Sequence, residues 1–176
     1  MIDGKYAVSL IGYGGMGHWH AEVLKEFEEI FLYSIFDTDS SKIEEAKEKG
    51  YHTYDSFDEV LADEKVDILL LAVPNDWHKP YAVKALIAGK NVISEKPVTL
   101  CSSDLQEMID AANKSGKLFT VHQNRRWDED FLTVKKIYNE GILGDIFSIE
   151  SRVHGSRGIP GDWRKEKAKG GGMMLD

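Results

Sequence analysis

Cysteine and positive charge are both scarce in this 176-residue sequence. Its single cysteine, Cys101, cannot form an internal disulfide, and nothing points to an oxidising compartment. We expect Cys101 to be structural rather than a catalytic thiol. The 22 lysines and arginines are outnumbered by 30 acidic residues, which gives a net charge of −8. Nucleic-acid surfaces need clustered Lys and Arg, so we expect no nucleic-acid partner.

Long apolar runs are also missing. The longest run spans 68–73 and stops at Pro74, which is far too short to cross a bilayer. The opening stretch "MIDGKYAVSL" lacks a basic region followed by a long apolar segment, so it does not resemble a targeting signal. We therefore expect a soluble, cytoplasmic protein with no membrane partner.

Apolar runs alternate with amphipathic stretches from residue 6 to residue 123. Strands are predicted at 6–12, 31–37, 51–55, 66–74, 91–95 and 118–123, and helices at 16–27, 41–50, 56–63, 79–89 and 103–116. Capping boxes are predicted at Ser41 with Glu44, Ser56 with Glu59, and Ser103 with Gln106. Uniformly apolar strands joined by helices favour a parallel sheet covered on both faces. The predicted fold is a doubly wound α/β domain of the Rossmann type over 1–123.

The pattern changes after residue 123. A helix is predicted at 131–141, followed by a strand at 146–153 whose residues alternate between apolar and polar. The remainder is rich in glycine. We expect 124–176 to be the beginning of an incomplete second domain of the α+β class.

A glycine-rich loop, "GYGGMG", directly follows the first predicted strand and opens the first helix. Gly12 permits the tight turn, Gly14 allows the backbone to approach a pyrophosphate, and Gly17 lets helix and strand pack closely. Gly15 and Met16 complete the loop at the helix N-terminus, where amides and the helix dipole favour phosphate. The loop predicts a dinucleotide site.

Asp37 lies twenty residues beyond Gly17, at the end of the second predicted strand. A carboxylate there accepts hydrogen bonds from both ribose hydroxyls of an adenosine and repels a 2′-phosphate. Together with Asp39, this favours NAD over NADP, although the segment 40–42 could still accommodate a phosphate. The alternatives are a plain glycine turn with a helix-capping aspartate, a methyltransferase or a flavin site.

Two further motifs follow neighbouring predicted strands: "VPNDWH" at 73–78 and "SEKPVT" at 94–99. With the glycine loop and the closing "GGGMMLD", they resemble the glucose-fructose oxidoreductase / inositol dehydrogenase (Gfo/Idh/MocA) family across essentially the whole chain. The resemblance implies that Lys96 is catalytic, lying beside the nicotinamide and contacting the reacting hydroxyl. The implied cofactor-binding set is Gly12, Gly14, Gly15, Met16, Gly17, Asp37, Pro74, Asn75, His78, Glu95 and Lys96.

An ammonium group suits Lys96 to this chemistry, because it stabilises a developing alkoxide or joins a proton relay. We expect partial burial of Lys96, which would lower its pKa. The alternative for Glu95 and Lys96 is a surface ion pair. Likewise, Asn75 or Asp76 could simply cap the next helix. The arginines at 125 and 126 either face substrate or form structural ion pairs.

Asp176 matches a family aspartate that precedes, by four residues, a histidine acting as acid and base; the sequence ends at Asp176. We expect the NAD-binding portion of a longer, homo-oligomeric dehydrogenase (a dimer or tetramer) acting on a secondary hydroxyl of a sugar or polyol, inactive as this chain alone. The alternative is a non-catalytic NAD-sensing protein. Trp163 and Arg164 are expected as exposed pieces of the second domain. No metal site is predicted, and the histidines at 18, 20, 52 and 154 are expected to be packing or surface residues.

Overall fold

The computed structural model describes residues 1–152, 161, 163–169 and 171. The two central strands are apolar apart from one serine, and a helix lies between each strand and the next. The strands are β1 (Tyr6–Ile11), β2 (Ile30–Phe36), β3 (His52–Thr53), β4 (Ile68–Leu71), β5 (Asn91–Ser94) and β6 (Phe119–Val121). The helices are α1 (Gly15–Val23), α2 (Ser40–Glu48), α3 (Phe57–Ala62), α4 (Asn75–Ile87), α5 (Ser102–Ser115) and α6 (Glu129–Glu140).

The six strands form one sheet in the order β3-β2-β1-β4-β5-β6, and all adjacent pairs are parallel. The chain starts in the middle at β1, winds outward to β3, then returns to β4 and winds outward in the other direction. This confirms the predicted doubly wound Rossmann-type fold and the expected adjacency of β4 and β5. The order reverses between β1 and β4, which is where ligands bind in such sheets.

The core lies on both faces of the sheet, as the uniformly apolar strands predicted. Leu10 packs in one buried cluster with Leu24 and Ile35, whereas the next residue, Ile11, packs in another cluster with Leu86. Successive side chains of a strand point to opposite faces, so β1 supplies both clusters. Burying a Leu or Ile side chain typically contributes about 1.5–3 kcal/mol, so these central positions anchor the domain.

Of the three predicted capping boxes, one forms in part, because the Glu59 carboxylate accepts from the backbone N–H of Asp55 at 3.0 Å rather than from that of Ser56. The side chain of Ser56 accepts a hydrogen bond from the backbone N–H of Glu59 at 3.3 Å. The prediction at Ser41 is wrong, because α2 starts one residue earlier and the Asp39 carboxylate accepts from the Ser41 N–H at 2.8 Å. No side chain caps the first turn of α5, so the prediction at Ser103 is wrong as well.

After β6, a 3₁₀ turn (Asn124–Trp127) leads into α6, none of whose residues is buried. The strand predicted at 146–153 is wrong for 146–152, which has no regular secondary structure, and residue 153 lies outside the described residues. Alternation predicts which residues share a face but supplies no neighbouring strand. Phe147 and Ile149 are accordingly 100% and 75% exposed. Within the part of the chain that the structure describes, no helix has the length and apolar character needed to span a membrane.

Candidate active site

A cavity of about 590 Å³ opens at the carboxyl ends of the central strands. It is bounded by the loops that follow β1, β2, β4 and β5, so it straddles the point where the strand order reverses. Its lining residues are Ile11, Gly12, Gly14, Gly15, Met16, Phe36, Asp37, Thr38, Ala72, Val73, Pro74, Asn75, Trp77, Tyr81, Glu95, Lys96 and Arg164.

The loop glycines fall into two groups. Gly12 has a φ of +94°, and a Cβ there would lie 2.5 Å from the carbonyl oxygen of Ala72. A Cβ on Gly17 would collide with the carbonyl oxygen of Gly12, so Gly17 permits the close approach of α1 to β1. On Gly14 or Gly15, by contrast, a Cβ would meet nothing within 4 Å. Gly12 and Gly17 therefore allow the backbone to pack closely, whereas Gly14 and Gly15 leave space open in the cavity.

The side chain of His18 joins the glycine loop to α2. His18 contacts the carbonyl oxygen of Gly14 through Nδ1 and the carboxylate of Glu45 through Nε2, both at 2.7 Å. Its ring stacks on the buried ring of Tyr13 with 4.1 Å between centroids. Hydrogen bonds chiefly from Lys49 and His18 lower the pKa of Glu45 to about 2. His18 thus connects the backbone of Gly14, which lines the cavity, to Glu45 of α2.

Asp37 directly follows β2 and lines the cavity. One carboxylate oxygen accepts from the Tyr13 N–H at 2.6 Å and the other from the Asp39 N–H at 2.9 Å. These two bonds fix the carboxylate between the glycine loop and the start of α2. A carboxylate has about four acceptor positions, so two bonds leave capacity for ligand hydroxyls.

Glu95 is the centre of a buried cluster. Its Oε1 contacts Nε2 of His20 at 2.7 Å and Nδ1 of His122 at 2.8 Å, while its Oε2 accepts from the backbone N–H of Lys96 at 3.2 Å. Glu95 and His20 are 6% and 5% exposed, so Glu95 is not part of a surface ion pair. Burial raises the pKa of Glu95, but the hydrogen bonds from the two histidines outweigh it and leave the pKa below its ordinary value.

The same three side chains are of metal-ligand type. Their donor atoms all lie within 4.8 Å of one another. The hydrogen bonds to Glu95 account for the grouping of the two imidazoles. The sequence reasoning missed this cluster and treated His20 as a packing or surface residue.

Lys96 lines the cavity immediately after Glu95, and the Lys96–Pro97 peptide bond is cis. Lys96 is exposed, so the expected partial burial is wrong. Lys96 follows the end of β5 by two residues, and the buried Glu95 accepts a hydrogen bond from its backbone N–H at 3.2 Å.

Comparison with known proteins assigns the chain to a family. Residues 6–123 match the oxidoreductase family with an NAD-binding Rossmann fold, and residues 131–176 match the Gfo/Idh/MocA C-terminal domain. The chain belongs to the Gfo/Idh/MocA oxidoreductase family.

Individual Gfo/Idh/MocA relatives are about twice as long as this chain. The uncharacterized oxidoreductase YdgJ of Escherichia coli is 34% identical over 171 residues, covering 96% of this chain and 49% of its own. The scyllo-inositol 2-dehydrogenase (NADP(+)) IolW of Bacillus subtilis is 30% identical over 173 residues, covering 96% and 48%. A crystal structure of an NAD-binding protein from Listeria innocua matches with a TM-score of 0.94 and 51% identity, covering 98% of this chain and 51% of that one.

The Gfo/Idh/MocA resemblance predicted Pro74, Asn75 and His78 at the cavity, and the structure brings the first two there. Helix α4 begins at Asn75, four residues before the predicted start, and Pro74 occupies the capping position in place of Asn75 or Asp76. His78, by contrast, is not among the residues that line the cavity. Its ring is fully buried behind the lining and contacts the carbonyl oxygens of Pro97 at 2.8 Å and Val73 at 3.0 Å. Burial lowers the pKa of His78.

Other lining residues were not predicted for this Gfo/Idh/MocA chain. Arg164 is half-buried and lines the cavity, whereas the sequence predicted an exposed residue. Trp77 and Tyr81 belong to the first turns of α4, which begins before the helix predicted at 79–89. Arg125 forms an exposed ion pair with Asp128 at 2.9 Å, in line with its structural alternative. Asp176 lies outside the described residues.

Proposed function

We propose that this chain is the NAD-binding portion of a dehydrogenase that transfers hydride between a secondary hydroxyl of a sugar, inositol or related polyol and a nicotinamide cofactor. The observation that carries the proposal is one cavity lined by the glycine loop, by the ribose-type carboxylate Asp37 and by Lys96. Family membership supports the reaction class, and the inositol dehydrogenase among the relatives supports the substrate class.

The residues present fit a dinucleotide. Open space at Gly14 and Gly15 leaves room for a pyrophosphate beside the N-terminus of α1, where the helix dipole favours negative charge. Asp37 supplies acceptors for ribose hydroxyls at one end, and Asn75 and Glu95 line the other end with Lys96. When bound, the nicotinamide supplies the hydride chemistry.

We propose NAD rather than NADP as the cofactor. Asp37 is fixed at the end of β2 by two backbone donors, so its charge cannot easily move away from a 2′-phosphate. Two of the three residues in 40–42 that could accommodate a 2′-phosphate have other partners. Ser41 donates its hydroxyl to Asp39 at 2.7 Å, and Lys42 pairs with Glu45 at 3.1 Å. NADP, which the IolW name specifies for that relative, is the alternative.

In the proposed mechanism, the Lys96 ammonium contacts the reacting hydroxyl and stabilises the alkoxide that develops as the proton leaves. Glu95 keeps Lys96 at the mouth of the cavity by accepting its backbone N–H. We assign Asp176 to the same proton-handling group, on the resemblance alone. Homo-oligomerisation of the complete protein stays a prediction.

Titration of the 176-residue chain with NAD, NADP, FAD and S-adenosylmethionine tests the binding proposal. NAD should bind most tightly, and preferential binding of either of the last two would overturn it. Turnover is then measured on the protein from the complete gene, with inositols and sugars as substrates and NADH absorbance as the readout. Tight NAD binding without turnover of any polyol would instead favour the NAD-sensing alternative.

A further inference from the structure

Three aromatic side chains stack in series beside the cavity. The ring centroids of Phe57 and Tyr81 are 4.3 Å apart and those of Tyr81 and Trp77 are 5.2 Å apart, with interplanar angles of 35° and 30°. Phe57 is buried, Tyr81 is half-buried and Trp77 is 47% exposed. The series therefore runs from the core outward, and its two outer members line the cavity.

Local sequence fixes the orientation of these rings. Trp77 and Tyr81 are four residues apart in α4, so they lie on the same side of the helix. Phe57 opens α3 and supports Tyr81 from the core side, with Phe36 behind it at 6.1 Å. Each ring is braced by the next, so little side-chain freedom remains to be lost when a flat ligand packs against them.

The aromatic pair lies on the Asp37 side of the cavity, because Tyr81 stacks on Phe57, whose ring is 6.1 Å from that of Phe36, the residue before Asp37. Burial raises the pKa of Tyr81, and the nearby negative charge of Asp37 raises it further. Asp37 is the carboxylate proposed for the adenosine ribose, and adenine is bonded directly to that sugar. The base must therefore lie beside the residues that surround Asp37. The opposite end, at Glu95 and Lys96, is lined by charged side chains.

We propose that Trp77 and Tyr81 form the surface against which the adenine ring stacks. The inference rests on the proposed function in that the ligand is an adenine dinucleotide bound with its ribose at Asp37. A flat aromatic ring gains from stacking and desolvation on aromatic side chains without requiring a particular hydrogen-bond partner. Trp77 and Tyr81 would then contribute affinity for adenosine, while Asp37 selects the sugar.

Equilibrium binding of AMP, ADP-ribose and nicotinamide mononucleotide to the 176-residue chain tests this proposal. Trp77→Leu should raise the Kd for AMP and ADP-ribose about tenfold, since stacking of a base on an aromatic side chain is commonly worth that much. Nicotinamide mononucleotide lacks adenine, so its affinity should not change. Trp77→Phe and Tyr81→Phe keep their rings and should retain most of the affinity.

Tryptophan fluorescence gives a second readout. AMP should quench the fluorescence of the unmodified chain, and Trp77→Phe should abolish that quench while AMP still binds. Trp127→Leu is the matched control, because Trp127 is 78% exposed and does not line the cavity. Undiminished ADP-ribose affinity in Trp77→Leu would overturn the proposal that adenine stacks on this surface. It would not contradict the proposal that the chain binds NAD. Failure of the unmodified chain to bind both NAD and ADP-ribose overturns the surface and the proposed function together.

Discussion

His20 and Glu95 are 75 positions apart in the sequence, yet Nε2 of the imidazole lies 2.7 Å from Oε1 of the carboxylate in the interior. His20 belongs to the helix that follows the glycine loop, and Glu95 directly precedes Lys96. His122, at the end of β6, contacts the same oxygen. The placement of Lys96 relative to the glycine loop therefore depends on one buried polar cluster.

Loss of a histidine from this cluster should destabilise the fold. His20→Ala leaves the buried carboxylate with one fewer partner, and we expect the free energy of unfolding to fall by about 2 kcal/mol. Urea denaturation measures the change. His52→Ala is the control, because His52 is exposed and makes ring contacts with Tyr33 and Tyr54 instead of a buried hydrogen bond, so its loss should cost about 1 kcal/mol or less. Equal changes in the two variants would contradict the role of the cluster.

Acid sensitivity should depend on Glu95. Burial raises its pKa, but hydrogen bonds from His20 and His122 bring the pKa below the ordinary value of 4.5. A lowered carboxyl pKa stabilises the folded state above 4.5, and that contribution disappears as the pH falls through the lowered value. Between about pH 5 and pH 3, the unmodified chain should therefore lose more stability than Glu95→Gln. Parallel curves of denaturation midpoint against pH would reject this linkage.

The two groups of loop glycines should respond differently to a methyl group. Gly14→Ala adds a Cβ that meets no protein atom, so stability should hold while NAD affinity falls at least about tenfold. Gly17→Ala drives a Cβ against the backbone of Gly12 and should lower the free energy of unfolding by about 1–3 kcal/mol. Thermal melts and NAD titrations on both variants make the comparison. Undiminished NAD affinity in Gly14→Ala would show that the pyrophosphate does not bind at this loop.

Substitution of Lys96 should separate catalysis from binding. In the protein from the complete gene, Lys96→Ala should lower kcat by about 10²–10⁴ because the alkoxide loses its ammonium partner, while NAD affinity is retained. Steady-state kinetics and NAD titration give the two quantities. Lys84→Ala is the control, since Lys84 is an exposed lysine that does not line the cavity. Near-normal turnover of Lys96→Ala would refute the assignment.

Cofactor preference should respond to the charge of Asp37. Asp37→Asn keeps an acceptor oxygen but removes the negative charge, so the preference for NAD over NADP should fall at least about tenfold. Asp39→Asn removes the same charge outside the cavity lining and preserves a good helix cap, so its preference should change little. The Kd ratio for the two cofactors reports the outcome, and similar ratios in the two variants would place the discrimination elsewhere.

Much of the fold could be predicted because its signals are local. The alternation of apolar runs with amphipathic segments predicted every strand of the sheet, and the spacing of Gly12, Gly14 and Gly17 marked the turn between β1 and α1. Predicted boundaries differed by up to four residues, at the end of α1 and at the start of α4, where Pro80 lies inside the helix rather than near its start. The strand predicted at 146–153 shows the limit of such signals, since a strand also needs a neighbour.

The sequence by itself determined the parallel sheet and the cavity at its carboxyl edge, because strand period, helix starts and glycine turns depend on residues a few positions apart. Only the tertiary structure decided that His20 and His122 meet at Glu95, that His78 is buried behind the lining and that Trp77 and Tyr81 face the cavity with Asp37. These relationships join residues from separate elements. They follow from how side chains pack and how buried polar groups find partners, which no local spacing records.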